Sequence, residues 1–395
     1  MLMKILLIND YAEPIGGAEV MTLALRDELR RRGHDARIFA SSAQLTDAAS
    51  AADYLCFGTM SRFRTLLQTA NPWAFWRLRE VLKEFRPDVI HVKMFLTQLS
   101  PLILPLLKDV PALYHVVWYR PVCPKGTKML PDKSPCRVRA GAACYRNGCL
   151  LLRDFIPLML QMRMWRHWRK VFRRIVANSA ATKEQLTAGG VEGAEVVWNG
   201  VPVAPRLAPL SSTPTIVFAG RLVPEKGVDA LVRAFARVAS RISGARLLLA
   251  GDGPERERIQ ELVGELKLST HVALLGHLTA AEMERRFAGA WVQAVPSRWA
   301  EPFGLTATEA MMRGTAVVAS ASGGLAEIVR DGETGFLVQP DNVDALASAL
   351  LKILGDRDLA ERMGENGREV ALKHFSQATF VNNFLRLYEE ILSAA

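Results

Sequence analysis

Two glutamates eight positions apart, Glu301 and Glu309, stand in the segment Pro296–Ala310, where a strand end, a Gly/Pro loop and a helix start follow one another. The amides of Phe303, Gly304, Leu305 and Thr306 are then expected at a helix N-terminus, a natural seat for an anion. One carboxylate in the loop and another about two turns into the helix can hold hydroxyls on either side of a bound phosphate. That suits a sugar nucleotide. Taken alone, two glutamates near a helix read as solvated surface acids, so the neighbouring segments carry the decision.

Those neighbours are basic or glycine-rich. The apolar run Ile216–Gly220 leads into Arg221-Leu222-Val223-Pro224-Glu225-Lys226-Gly227 and then an amphipathic stretch from Val228 to Val238. A planar Arg fork and a compact Lys charge between a strand and a helix can together neutralise a diphosphate. Near the N-terminus, Lys4–Ile8 reads as a buried strand, and Gly16-Gly17 opens the following helix. Paired glycines let a backbone approach an anion closely, but they are not the spaced-glycine fingerprint of a nicotinamide site. His115 lies toward the carboxyl end of the strand Ala112–Val117, where ligands of open α/β sheets collect. A core histidine is the competing reading.

In order along the chain, Gly16-Gly17, Gly33-His34, Arg86–His91, Asn199-Gly200, Arg221/Lys226, Glu301/Glu309 and Gly323–Glu327 make a pattern that resembles the Glu-x7-Glu retaining glycosyltransferases of family 4. The resemblance implies an α/β GT-B fold with two Rossmann-like domains facing a central cleft. It implies that Glu301 contacts the donor sugar, Glu309 the nucleotide ribose, Arg221 and Lys226 the diphosphate, and that Gly16-Gly17 faces that diphosphate. His115 stands where the family carries a His-Asp pair near the donor sugar; here Val116 replaces the acid. The expected partners are a nucleotide-diphosphate sugar and a hydroxyl acceptor, a glycan or lipid-linked glycan of cell-surface polysaccharide synthesis. Catalysis is expected to need no metal cofactor. Asp356-Arg357-Asp358 has the form of a manganese motif from another fold, but a helix-capping turn explains it better.

Length and composition agree. The 395 residues, half of them apolar, suffice for two full cores. Alternating short apolar strands and amphipathic helices argue for parallel sheets covered on both faces. Strands are expected at 36–39, 89–91, 112–117, 175–178, 246–250, 291–295 and 316–320. The domains are expected at 1–200 and 214–375, with a Pro/Ser-rich join at 201–213 and a last helix in 376–395 that the resemblance returns to the first domain. No apolar run reaches the roughly 18 residues that span a bilayer, and Asn9-Asp10 interrupts the apolar N-terminus; a cytoplasmic location is expected.

Charge is uneven. Residues 1–200 hold 29 Lys and Arg against 17 Asp and Glu, whereas residues 201–395 hold 21 against 23. The first half should attract phosphate-bearing acceptors or an anionic membrane surface. Between Phe155 and Val176, Leu158, Met162, Trp165, Phe172 and Ile175 recur at near-helical spacing beside Arg163, Arg166, Lys170 and Arg173. Either the helix lays its apolar face on a sheet, or Trp165 and Trp168 meet a lipid interface. Cys123, Cys136, Cys144 and Cys149 share one basic insertion at about 120–152, without a Cys-x-x-Cys knuckle; structural zinc, a disulfide arrangement and unlinked thiols all remain open. Other functions also fit parts of the chain. A sugar-nucleotide epimerase or sugar phosphorylase would use the same scaffold, and a retired scaffold would leave a basic lipid-surface or nucleic-acid binding module. Both glutamates and both phosphate-side cations are present, which argues against a retired scaffold, and nucleic acid is not an expected partner.

Overall fold

The computed structural model describes residues 2–14, 16–45, 51–61, 64–205 and 209–394. The chain divides into two compact units, Met1–Gly200 with Gln377–Ala395, and Val201–Ser376. Residues 206–208 of the expected join lie outside the described residues.

The first unit is built on strands β1 (Lys4–Tyr11), β2 (Asp35–Ser41), β3 (Tyr54–Cys56), β4 (Val89–Val92), β5 (Ala112–Val116), β6 (Arg174–Ala177) and β7 (Glu195–Val196). They form one sheet in the order β3-β2-β1-β4-β5-β6-β7, and every ladder is parallel. Ile5 to Ile8 are all buried, because a strand covered on both faces has no polar side to show. The helix Gly17–Arg31 buries Met21, Leu25 and Leu29, spaced by four. Asn71 starts the helix Pro72–Phe85: its side chain accepts from Ala74 N at 3.0 Å and Pro72 takes the first helical position.

The helix Leu152–Trp168 turns the apolar part of its stripe inward, and Trp168 at its end is half-buried. Leu158, Met162 and Trp165 face inward, and the Trp165 indole N–H donates to Pro121 O at 3.0 Å. Trp165 is therefore a core residue rather than a lipid anchor, since its ring is packed against Phe95 and Tyr114. The apolar residues left outside are Leu152, Ile156 and Leu160, at 57%, 65% and 50% exposure. Their spacing of four places them on one helix face. The last helix, Gln377–Ser393, buries Phe380, Phe384, Leu387, Tyr388 and Ile391 in the first unit. Gln377 donates to Ala24 O at 3.1 Å, and the Tyr388 hydroxyl lies 2.6 Å from His91 Nδ1.

The second unit carries β8 (Thr215–Ala219), β9 (Arg246–Ala250), β10 (Val272–Gly276), β11 (Val292–Val295), β12 (Ala316–Ser320) and β13 (Gly335–Val338). Its parallel sheet runs β10-β9-β8-β11-β12-β13. The helices Val228–Ala239 and Val343–Leu354 cover it with Leu231, Phe235, Leu350 and Ile353. Asp356 caps the helix Arg357–His374 by accepting from Leu359 N at 2.9 Å, as the capping reading of that Asp-x-Asp motif expects. Among the described residues no helix is long and apolar enough to cross a membrane. The architecture is that of two Rossmann-like α/β units.

Candidate functional site

In each sheet the first strand has its chain neighbours on one side and the fourth strand on the other. Loops leaving the carboxyl ends of such a pair diverge and open a crevice. In the second unit the pair is β8 and β11, joined at Ile216 and Val292. The loop after β8 carries Arg221 and Lys226, and the loop after β11 carries Pro296 to Gly304.

The two loops are pinned together. Gly227 has φ +66°, and a Cβ there would fall 2.1 Å from Pro296 O; only glycine allows this approach. Arg298 spreads its guanidinium across both oxygens of Asp229, at 2.8 and 2.9 Å, and donates to Pro224 O at 2.8 Å and Asp341 Oδ1 at 2.5 Å. Its backbone N–H donates to Glu225 O at 2.8 Å. Burial opposes charge on Arg298, but the paired carboxylates outweigh it and hold the guanidinium's pKa above its ordinary value.

Lys226 Nζ then stands 2.5 Å from Glu301 Oε1, and Ser297 Oγ donates to the same oxygen at 2.6 Å. The ammonium also lies 5.7 Å from the centre of the Trp299 ring. Glu301 is buried. Burial pushes its carboxyl pKa up, but Lys226, Ser297 and Trp299 outweigh that and hold it below the ordinary carboxylate value. The site therefore keeps a charged, oriented carboxylate at the switch point.

Beside it the helix Leu305–Arg313 begins at Gly304 with no side-chain cap, so its first-turn amides face outward from the loop. The turn Gly323-Gly324 supports the loop from below: Gly324 N donates to Glu301 O at 2.8 Å, and a Cβ on Gly323 would fall 2.3 Å from that carbonyl. Phe303 is buried, with its ring 5.9 Å from that of Phe375. Thr306 O accepts from Gln293 at 2.7 Å. Glu309 is half-buried; burial raises its carboxyl pKa, opposed by Arg313 and reinforced by Glu284. Arg221 is exposed at the mouth of its loop. The structure thus gathers Arg221, Lys226, Glu301, Phe303, Gly304, Leu305, Thr306 and Glu309 on two adjoining loops and one helix.

The expected residues of the first unit are placed differently. Gly16 precedes the helix that starts at Gly17, which also lacks a side-chain cap. His115, expected to face a ligand, has 0% exposure. Its ring lies 4.9 Å from Phe384 and 5.4 Å from His91, with neither nitrogen hydrogen-bonded, and burial holds its pKa well below the ordinary value. The last helix covers it, so it is a core histidine. Cys123, Cys136, Cys144 and Cys149 are free thiols. Burial, and then the neighbouring thiols, raise Cys149, yet among the described residues no three His, Cys, Asp or Glu side chains are grouped to hold a metal ion.

Sequence reasoning missed Arg298, Asp229 and Ser297. In the sequence Arg298 is only one more charge of the loop Pro296–Gly304, although a lone Arg just before Glu301 is the signal that could have singled it out.

Two outcomes follow for these carboxyls. Lys226→Ala leaves Glu301 buried without its cation and should lower stability by about 3 kcal/mol, with the Glu301 pKa rising; urea unfolding and carboxyl titration check both. Glu309 has the opposite sign. A carboxyl raised in the folded state opposes folding above its folded pKa, and that penalty disappears as pH falls through its unfolded value of about 4.3. Glu309→Gln should therefore unfold at a higher temperature than the wild-type chain at pH 7.5, with the gap closing toward pH 4.5.

A family model described as Glycosyl transferases group 1 matches residues 206–370, and one described as Glycosyltransferase Family 4 matches residues 15–204. The chain is 37% identical over 166 residues to the GDP-mannose-dependent alpha-(1-6)-phosphatidylinositol monomannoside mannosyltransferase of Mycobacterium tuberculosis, covering 40% of this chain and 43% of that protein. It is 36% identical over 196 residues to an exopolysaccharide phosphotransferase of Streptomyces coelicolor, covering 49% of this chain and 20% of the other. The chain thus spans less than half the length of these two relatives. The solved sucrose-phosphate synthase of Thermosynechococcus elongatus superposes with a TM-score of 0.78 at 24% identity, covering 100% of both chains, a likeness of fold. With one family model on each unit and both units Rossmann-like, the chain belongs to the family 4 glycosyltransferases of GT-B fold.

Proposed function

We propose that the protein transfers a sugar, with retention of configuration, from a nucleoside diphosphate sugar to a hydroxyl acceptor that is a glycan or lipid-linked glycan of cell-surface polysaccharide synthesis. The observation that carries this reading is the Lys226–Glu301 pair at the β8/β11 switch point, beside the uncapped helix at Gly304. A diphosphate at that helix start meets the positive end of the helix dipole, the Lys226 ammonium and the exposed Arg221. These charges stabilise the negative charge that grows as the bond from sugar to phosphate breaks, so a divalent ion is not required. Glu301, kept ionised, accepts hydrogen bonds from sugar hydroxyls, and Glu309 accepts from the ribose. The departing phosphate oxygen takes the acceptor's proton as the new glycosidic bond forms on the same face. His115, buried under the last helix, takes no step in this sequence.

A peripheral position on the inner face of a membrane fits the first unit. Leu152, Ile156 and Leu160 stand exposed on one helix face, in a region with Arg153, Arg163 and Arg166 also exposed. Apolar insertion flanked by arginines suits an anionic lipid surface. The phosphatidylinositol monomannoside in the name of the mycobacterial relative supports a lipid-bearing substrate.

Thermal unfolding with UDP-, GDP-, ADP- and TDP-sugars should show a rise for one class, worth about 2.7 kcal/mol at a hundredfold excess over Kd. The rise should persist in EDTA and disappear in Lys226→Ala and Glu309→Ala. No shift with any donor, or an inverted anomer in the NMR spectrum of the product, would sink the corresponding part of the reading. Sedimentation with vesicles containing anionic lipid should carry the wild-type protein down at low salt, and Leu152→Ser/Ile156→Ser/Leu160→Ser should lose at least ~10-fold in bound fraction; equal binding would remove the membrane face.

A further inference from the structure

The switch point of the first unit, between β1 and β4, holds polar groups that the fold itself leaves unanswered. Asn9 and Asp10 lie at the end of β1, and Lys93 follows β4 directly, with its backbone N–H donating to Ile8 O at 2.9 Å. Asp10 is fully engaged: Thr97 N, Thr97 Oγ1, Gln98 N and Leu99 N donate to it at 2.9, 2.6, 2.8 and 3.0 Å. Lys93 differs. Its side chain is 2% exposed, and Nζ has no hydrogen-bond partner. Asn9 is equally buried; its Nδ2 donates to Tyr11 O at 2.9 Å while Oδ1 receives nothing.

Glu19, from the first turn of the helix Gly17–Arg31, completes the group. It is buried, and a Cβ on Gly16 would fall 3.0 Å from its Oε2, so its carboxylate leans over the glycine pair. Burial, helped by the nearby Asp10 charge, raises the Glu19 carboxyl, while its own backbone N–H, Lys93 and Asn9 pull it down. Burial lowers Lys93 to about 7, with Glu19 opposing. The groups feel one another's charge, yet Lys93 and Glu19 do not close into an ion pair.

We propose that Lys93, Glu19 and Asn9 receive a hydroxyl of the sugar or polyol acceptor, an inference that rests on the transferase reading above. A hydroxyl is donor and acceptor at once: its oxygen takes a hydrogen bond from the Lys93 ammonium, and its proton goes to the Glu19 carboxylate or Asn9 Oδ1. A phosphate would face two acceptor groups across from one cation, and an amine would face Lys93; a neutral hydroxyl conflicts with none of the three. An unpaired buried ammonium weakens a fold, which is the expected signature of a group kept for a ligand.

The test compares wild type with Lys93→Met and Glu19→Gln. Lys93→Met should unfold about 2 °C or more above wild type, because the methyl thioether fills the same space without a charge. Both variants should keep the donor-induced rise in unfolding temperature. With octyl β-glucoside and octyl α-mannoside as acceptor probes, both should lose at least tenfold in kcat/KM for the acceptor accepted by the wild type, chiefly through KM. A Lys93→Met chain that unfolds earlier than wild type and loses donor binding with it would show a structural role and overturn the inference, as would transfer equal to wild type with the donor shift intact. Absence of the donor shift in the wild-type protein would instead strike the transferase reading.

Discussion

A carboxylate withdrawn from water keeps its charge only if something nearby answers it, and much of the second unit is arranged to answer Glu301. Left to burial alone, the group would take up a proton and become a poor acceptor. Lys226 and Ser297 prevent this, but Lys226 reaches Glu301 only because Gly227 lets the β8 loop press against Pro296 O. Arg298 then fixes the contact by gripping Asp229 on the far side. The charge state of one side chain thus depends on a glycine, a guanidinium fork and two strands brought side by side by the sheet order.

The same crossover rule operates in both units with opposite electrostatic results. At β8/β11 the cation and the carboxylate close on one another. At β1/β4 they are held near but apart, and the nearby Asp10 is spent entirely on anchoring residues 97–99. A closed pair is a stable, pre-oriented surface for a ligand to rest on. An open pair is destabilised until something enters it.

The interior of the fold was legible in the sequence, and its margins were not. The strands expected from apolar runs are β1, β2, β4, β5, β6, β8, β9, β11 and β12, those flanked by neighbours on both sides and covered on both faces. The four that left no clear signal, β3, β7, β10 and β13, are the four sheet edges; β7 is two residues long and β13 begins on glycine. Edge strands need less apolar surface and so leave a weaker pattern. At the site, Glu301 and Lys226 were visible through their loop settings, but their contact spans 75 positions and no local pattern encodes it. His115 was misplaced because strand position alone does not say what will cover the strand, and the cover comes from Phe380 and Phe384 near the other end of the chain.

That distant cover has a consequence for how the protein is made. The first unit needs Gln377–Ala395, and the whole of Val201–Ser376 lies between. During synthesis the second unit can emerge and fold while His91 and His115 still wait for Tyr388 and Phe384. The unit that begins first is therefore finished last, and its apolar strip over β4 and β5 stays uncovered through much of translation. Such an interval is when nascent chains associate wrongly. Slow decoding of the codons for 377–395, or a chaperone at the ribosome exit, would matter more for this fold than for one whose domains are each contiguous in sequence.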